Sequence, residues 1–214
     1  MLPIGDDDSA RRTVPVVTFA LIAINVLFFL VELSAGDAFI NRWSVVPRQL
    51  LAHPAAEFIT IFTAMFMHAG WLHLGGNMLY LWIFGDNVED RLGHVKYLVF
   101  YLLCGIVAFY AQALVNPTSN VPNLGASGAI AGVLGAYLIM FPGERVRVMM
   151  GRGIIPLPAL VVIGFWFVLQ LFSSFGAASS GGGVAYMAHV GGFIAGMVLA
   201  LLFGGLRRPQ LRSY

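Results

Sequence analysis

Residues 97–143 read YLVFYLLCGIVAFYAQALVNPTSNVPNLGASGAIAGVLGAYLIMFPG and contain no Asp, Glu, Lys or Arg. A bilayer-spanning helix takes about 20 apolar residues, so this stretch is long enough for two. The break between them falls at residues 116–123, NPTSNVPN, whose prolines and asparagines favour a turn. Outward from there, Phe58 to Gly85 is also free of these charges, although His68 and His73 lie inside it. Thr13 to Val31 is a third such run, and Gly153 to Leu206 is a fourth that breaks at residues 173–183, SSFGAASSGGG. The charges gather between the runs: in a polar segment, 32–57, broken by Pro47 and Pro54; around Asp86–Lys96; and around Glu144–Arg152. Six spans result, over residues 14–33, 70–85, 97–115, 126–141, 155–173 and 184–204.

Composition agrees. Of 214 residues, 59% are hydrophobic and 10% charged, with a mean hydropathy of +0.84. Soluble domains carry about 25% charged residues, and this chain has too little polar surface to face water all round. The expected fold is an all-α membrane protein, a six-helix bundle. The net charge of +2 makes no case for nucleic acid, and the single Cys104 forms no intramolecular disulfide. Six spans place both termini on one side. That side holds Arg11, Arg12, Arg91, Lys96, Arg145, Arg147, Arg152, Arg207, Arg208 and Arg212, against Arg42 and Arg48 opposite. The positive-inside rule therefore assigns the termini to the cytoplasm. The first apolar core is longer than that of a signal peptide and reads as an uncleaved helix. The organisation expected is a tail over 1–12, a six-span domain over 13–206 and a second tail over 207–214, both tails solvated, with Asp6–Asp8 simply a polar N-terminus. The two halves show no repeat, which argues against a transporter built from paired repeats.

Polar groups inside apolar spans need a reason, because hydrocarbon offers them no partner. Few positions qualify: His68, His73 and Asn77 around the second span, Ser127 opening the fourth and His189 in the sixth. Spans two, four and six run in the same direction, so His73, Asn77, Ser127 and His189 are expected at a similar depth below the outer surface. His73 and Asn77 are four apart and share a helix face, whereas His68 lies about 140° away and belongs to the entry loop or to a short helix of its own. Gly192 and Gly196 form a GxxxG ridge on the His189 face, and Gly128 and Gly132 flank Ser127. Small residues let helices approach closely, so spans four and six are expected to pack backbone to backbone. Taken singly, each residue has a plain structural reading: Ser127 as packing or cap, GxxxG as packing, Asn77 as interhelical glue. The charge cluster Asp86, Glu89, Asp90 and Arg91 reads as interfacial, His53 and His94 as surface residues, and Trp43, Trp71 and Trp82 as aromatic belts.

A serine becomes a nucleophile at neutral pH when a base lies within hydrogen-bond reach. No carboxylate lies in spans four to six, so the expected arrangement is a Ser127–His189 dyad. The helix N-terminus at Ser127 favours a developing oxyanion, and His73 and Asn77 add side-chain donors. Acyl transfer to water suits such parts. HExxH is absent, and Gly125-Ala-Ser127-Gly-Ala129 lacks both the last glycine and the preceding strand of a nucleophile elbow. A three-histidine zinc site from His68, His73 and His189 remains a competing arrangement, with the 140° offset against it.

Four ordered motifs resemble those of the rhomboid intramembrane serine proteases, over residues 14–204: His68-x4-His73-x3-Asn77, Gly85-x3-Glu89-x3-Gly93, Gly125-Ala-Ser127-Gly128 and Ala188-His189-x2-Gly192-x3-Gly196. The resemblance implies a six-helix rhomboid-like bundle with Ser127 as nucleophile and His189 as general base and acid. It further implies an oxyanion hole from His73, Asn77 and the Ser127 backbone N–H, with His68 and Glu89 structural. It implies no metal or cofactor; the partners are the lipid bilayer and single-span membrane protein substrates, cleaved in or near the spanning segment. The compact form points to a bacterial plasma membrane. The sequence carries no signal of oligomeric state. Two departures stand out: Ala131 occupies a position, four after the serine, where an aromatic often stacks on the histidine, and Ile59-Thr60 replaces a common Trp-Arg pair. Residues 173–183 are expected to form a mobile cap over Ser127. The alternatives are a non-catalytic rhomboid-like client-binding protein, which would not need both Ser127 and His189, and a transporter or channel, which would need a polar path through the membrane.

Overall fold

The computed structural model describes residues 2–7, 9, 11–177 and 185–204. Nine helices and three strands make up these residues. Strand β1 is Leu2–Gly5, followed by α1 (Val16–Ala35), α2 (Asp37–Trp43), α3 (Pro47–Ala52), α4 (Pro54–Ala64), α5 (Trp71–Leu92), α6 (His94–Val115) and α7 (Ser127–Met140). A hairpin of β2 (Arg145–Met150) and β3 (Gly153–Pro158) then leads into α8 (Ala159–Ala177) and α9 (Tyr186–Leu202).

The helices expected from the uncharged runs are present, within a few residues of their expected bounds except where α5 runs on to Leu92. The differences have physical causes. The polar segment 32–57 is not an irregular link: Pro47 and Pro54 stand in the first turns of α3 and α4, where a missing N–H costs nothing. Helix α5 continues seven residues past Gly85 because its charges find partners. Asp86 pairs with Arg11, and Asp90 accepts the backbone N–H of Thr13 at 2.7 Å. Glu89 is fully buried and caps α1, accepting the backbone N–H of Val17 at 2.9 Å and of Thr18 at 2.7 Å. These are the otherwise unpaired donors of a helix first turn. The cluster expected at a solvated interface thus lies largely inside the fold. His94 stays half-exposed, as expected of a surface residue, and places Nδ1 2.6 Å from Glu89 Oε1.

The expectation of an all-α chain also needs correction. Residues 145–150, RVRVMM, alternate in character, so Val146 and Val148 are buried while Arg145 and Arg147 face out. Strand β2 pairs antiparallel with β3 and, on its other edge, with β1. The start of the chain is therefore not a solvated tail. Asp6 accepts hydrogen bonds from Asn87 Nδ2 and from the Tyr137 hydroxyl, each at 2.7 Å, and so ties β1 to α5 and α7. The C-terminal tail, 207–214, lies outside the described residues. So does most of the expected cap: residues 173–177 belong to α8, and 178–183 lie outside the described residues.

Helix α7 stands at the centre. Its residues from Gly128 to Tyr137 are all buried, with α5, α6, α8 and α9 around it. Outer faces carry the opposite pattern: Leu27, Leu114, Phe172 and Leu202 are between 61% and 72% exposed. Polar side chains such as Thr18, Asn25, Glu32 and Glu89 are buried instead. An apolar exterior, with these polar groups withdrawn into a core that is otherwise apolar, is what a hydrocarbon solvent selects in an integral membrane protein. Helices α1 and α6 have the length and apolarity to cross a bilayer. Helix α7 has 14 residues, a length of about 21 Å at 1.5 Å per residue, shorter than a hydrocarbon core of about 30 Å.

Candidate active site

Ser127 is the first residue of α7, and His189 lies one turn into α9. Glycine brings them together. A Cβ on Gly192 would overlap the carbonyl of Gly128, and one on Gly196 would overlap the carbonyl of Gly132. On the α7 side, a Cβ on Gly135 would strike the carbonyl of Phe193. The two helices therefore touch backbone to backbone, as the glycine pattern predicts. Gln112 on α6 then fixes the start of α9: its Oε1 accepts the backbone N–H of Met187 at 3.1 Å and of Ala188 at 3.3 Å. With both helix ends set, His189 Nε2 lies 2.8 Å from Ser127 Oγ.

His73 and Asn77 approach from α5. The chain before Ser127 passes His73 at Gly125, whose φ of +131° and lack of Cβ both matter: a Cβ there would lie 2.9 Å from His73 Cε1 and 3.0 Å from Nε2. Its backbone N–H donates to the Ala64 carbonyl at 2.8 Å, so α4 anchors the loop that carries the serine. His73 Nδ1 accepts the backbone N–H of Ala69 at 3.3 Å. In a neutral ring this leaves the proton on Nε2, the nitrogen beside Gly125. Asn77 is buried, and its Nδ2 donates to no group among the described residues. His73, Asn77, Ser127 and His189 all line one cleft of about 1000 Å³, together with Trp166 and Gln170 of α8. The four residues expected at a common depth are thus gathered around one space.

His68 lies apart from this group, as its helical offset predicts. It occupies the turn between α4 and α5, with its ring edge-on to His73 at 5.1 Å. Its backbone N–H donates to the buried carboxyl of Glu32 at 2.9 Å, tying the turn to the end of α1. Both ring nitrogens of His189 already have protein partners, and among the described residues no group of three or more His, Cys, Asp or Glu gathers to hold a metal ion.

Three contributors escape the sequence reading. Glu32 looks like a boundary charge because it flanks an apolar run, yet it is buried, as is Glu89, to which the family resemblance already gives a structural role. Gln112 and Gln170 lie inside apolar spans and carry no charge, so a survey of charges passes over them. The available signal is polarity itself: Gln170 is the single hydrogen-bonding side chain between Ala159 and Phe172, apart from Trp166. His189 Nδ1 lies 2.8 Å from Gln170 Oε1. Ala131, the position where an aromatic is often found, is buried and small; the His189 ring is flanked by Trp166 and Tyr186, with centroids at 5.9 Å and 6.4 Å. Ile59 and Thr60 lie on α4, Ile59 half exposed and the Thr60 hydroxyl donating to the Glu57 carbonyl at 2.7 Å.

A helical membrane protein with a Ser–His hydrogen bond recessed at the end of a short central helix is the class these features define. The model of the rhomboid domain matches residues 55–206, and the chain belongs to the rhomboid family. It is 31% identical over 198 residues to the rhomboid protease GluP of Bacillus subtilis, covering 89% of this chain and 35% of that protein. It is 29% identical over 185 residues to rhomboid protein 1, mitochondrial, of Saccharomyces cerevisiae, covering 84% and 51%. The rhomboid protease GlpG of Salmonella paratyphi A is 28% identical over 197 residues, with 90% and 64% covered. The chain thus spans between about a third and two thirds of these relatives' own lengths.

Proposed function

We propose that the protein is an intramembrane serine endopeptidase that hydrolyses peptide bonds in or near the spanning segments of single-span membrane proteins. The observation that carries this reading is the 2.8 Å contact between Ser127 Oγ and His189 Nε2 within a cleft in an apolar bundle. Ser127 Oγ attacks the scissile carbonyl while His189 Nε2 takes its proton. The oxyanion accepts hydrogen bonds from the Ser127 backbone N–H, His73 Nε2–H and Asn77 Nδ2, the last two belonging to residues that line the same cleft. His189 returns the proton to the leaving amine, and the acyl-enzyme forms on Ser127. Water, activated by His189, then releases the acid product.

The six-span arrangement belongs to this proposal. It comprises α1, α5, α6, α7, α8 and α9, with both termini in the cytoplasm of a bacterium and residues 13–206 as the catalytic domain. The short α7 supports it, because a central helix that stops below the surface leaves room for water above the serine. The test is cleavage of a reconstituted single-span substrate by wild type and Ser127→Ala. The variant is expected to retain its fold and lose all cleavage, and a fluorophosphonate is expected to label Ser127 in the wild type alone. Continued cleavage by the variant refutes the dyad.

A further inference from the structure

We propose that Gln170 on α8 is a positioning residue that holds His189 in the tautomer able to act as a base. The inference rests on the Ser127–His189 reading above and adds a group to it. His189 has two ring nitrogens with different duties. Nε2 must present a lone pair to the Ser127 hydroxyl, so Nδ1 must carry the proton. An amide oxygen accepts and never donates. Gln170 Oε1, 2.8 Å from Nδ1, therefore selects the ring with its proton on Nδ1 and leaves Nε2 free to accept from Ser127 Oγ, also at 2.8 Å. The same neighbour fixes the ring's rotation. Trp166 lies one helical turn before Gln170 on the same face of α8, with its ring against the imidazole at a centroid distance of 5.9 Å. One side chain bounds the ring's flank and the other holds its far nitrogen.

This arrangement accounts for Ala131. A methyl group at that position cannot brace an imidazole, and the bracing comes from α8 instead of α7. A glutamine also suits its surroundings. A carboxylate in the same place would add a buried charge to an apolar span, at far greater desolvation cost than a neutral amide. The hydrogen bond of Gln170 goes to the His189 ring rather than to Ser127 Oγ, so its effect passes through His189. The other titratable side chains against this ring are His73, from α5, and Tyr186, from its own helix.

The experiment compares Gln170→Met and Gln170→Glu in the full chain, reconstituted with a single-span substrate. Methionine keeps the length and packing of glutamine but accepts no useful hydrogen bond; glutamate keeps the acceptor and, assayed at a pH where it is ionised, cannot donate, its desolvation cost being read separately as a fall in Tm. With Tm matched to wild type, Gln170→Met is expected to lower kcat and the rate of fluorophosphonate labelling by about 10–100-fold, with KM within twofold. Gln170→Glu is expected to retain most of the activity. A methionine variant within twofold of wild type overturns the proposal, and so does a glutamate variant as impaired as methionine. Should either variant misfold, 15N NMR of histidine-labelled wild type decides: protonation at Nδ1 is expected, and protonation at Nε2 overturns the role. Loss of the underlying reading looks different, since cleavage would then survive in Ser127→Ala whatever stands at 170.

Discussion

Gly196 packs onto the Gly132 carbonyl so closely that not even a methyl group fits between α9 and α7. The Ser127–His189 distance is consequently set by two backbones in contact. Gly196→Ala is expected to force the helices apart, at a cost of about 1–3 kcal/mol of stability, and to slow fluorophosphonate labelling of Ser127 more than about tenfold. Gly75→Ala is the control, because nothing lies within 4 Å of a Cβ there. Thermal unfolding and labelling rates measured side by side check both; a Gly196→Ala protein with wild-type labelling would show that backbone contact does not set the geometry.

The donors around the cleft are expected to act on the transition state rather than on substrate affinity. His73→Ala and Asn77→Ala should each lower kcat by roughly 10²–10³-fold, the usual effect of removing one oxyanion donor, with KM little changed. Steady-state cleavage of a reconstituted substrate separates the two parameters. Equal rises in KM with kcat intact would assign both residues to substrate binding.

Glu89 makes a different prediction, because it holds the fold and lies outside the cleft. Its removal in Glu89→Ala strips acceptors from two backbone N–H groups and from the Thr18 hydroxyl. A loss of about 2–4 kcal/mol is expected, seen as a Tm lower by about 5–10 °C. Cleavage well below Tm should remain near wild type. Glu89→Gln, which keeps one acceptor oxygen, should fall between the two.

The link from β1 to the bundle can be measured as a coupling. Asp6→Ala and Tyr137→Phe each break the 2.7 Å hydrogen bond between them. Each is expected to destabilise the protein by about 1–2 kcal/mol, and the double variant by less than the sum. Simple additivity would mean that the contact contributes nothing beyond its separate parts.

The sequence made the membrane helices legible because hydrocarbon forbids charge over a length that a count of residues detects. It also made the candidate site legible, since Ser127 and His189 are conspicuous in runs where almost nothing else ionises or accepts a proton. What it hid were pairings across long separations. Asp6 with Tyr137, Glu89 with Thr18 and Gln170 with His189 join residues whose partners no local pattern names. Charges beside apolar runs look solvated, yet Glu89 and Glu32 turn inward because helix ends and turns offer them N–H groups. The hairpin is hidden for a related reason: RVRVMM is short, and its alternation carries weight only once β1 and β3 flank it.

The 14 residues of α7 work as a depth gauge. Met140 ends the helix beside the hairpin, and Ser127 begins it about 21 Å away, so in the proposed function the level at which a substrate can be cut is fixed by how many residues lie between them. One further turn would move that level by about 5.4 Å, a displacement no side chain could make good. For the proposed endopeptidase, selection among membrane proteins then depends on where along its own length a substrate's helix can open, read against a mark built into the backbone.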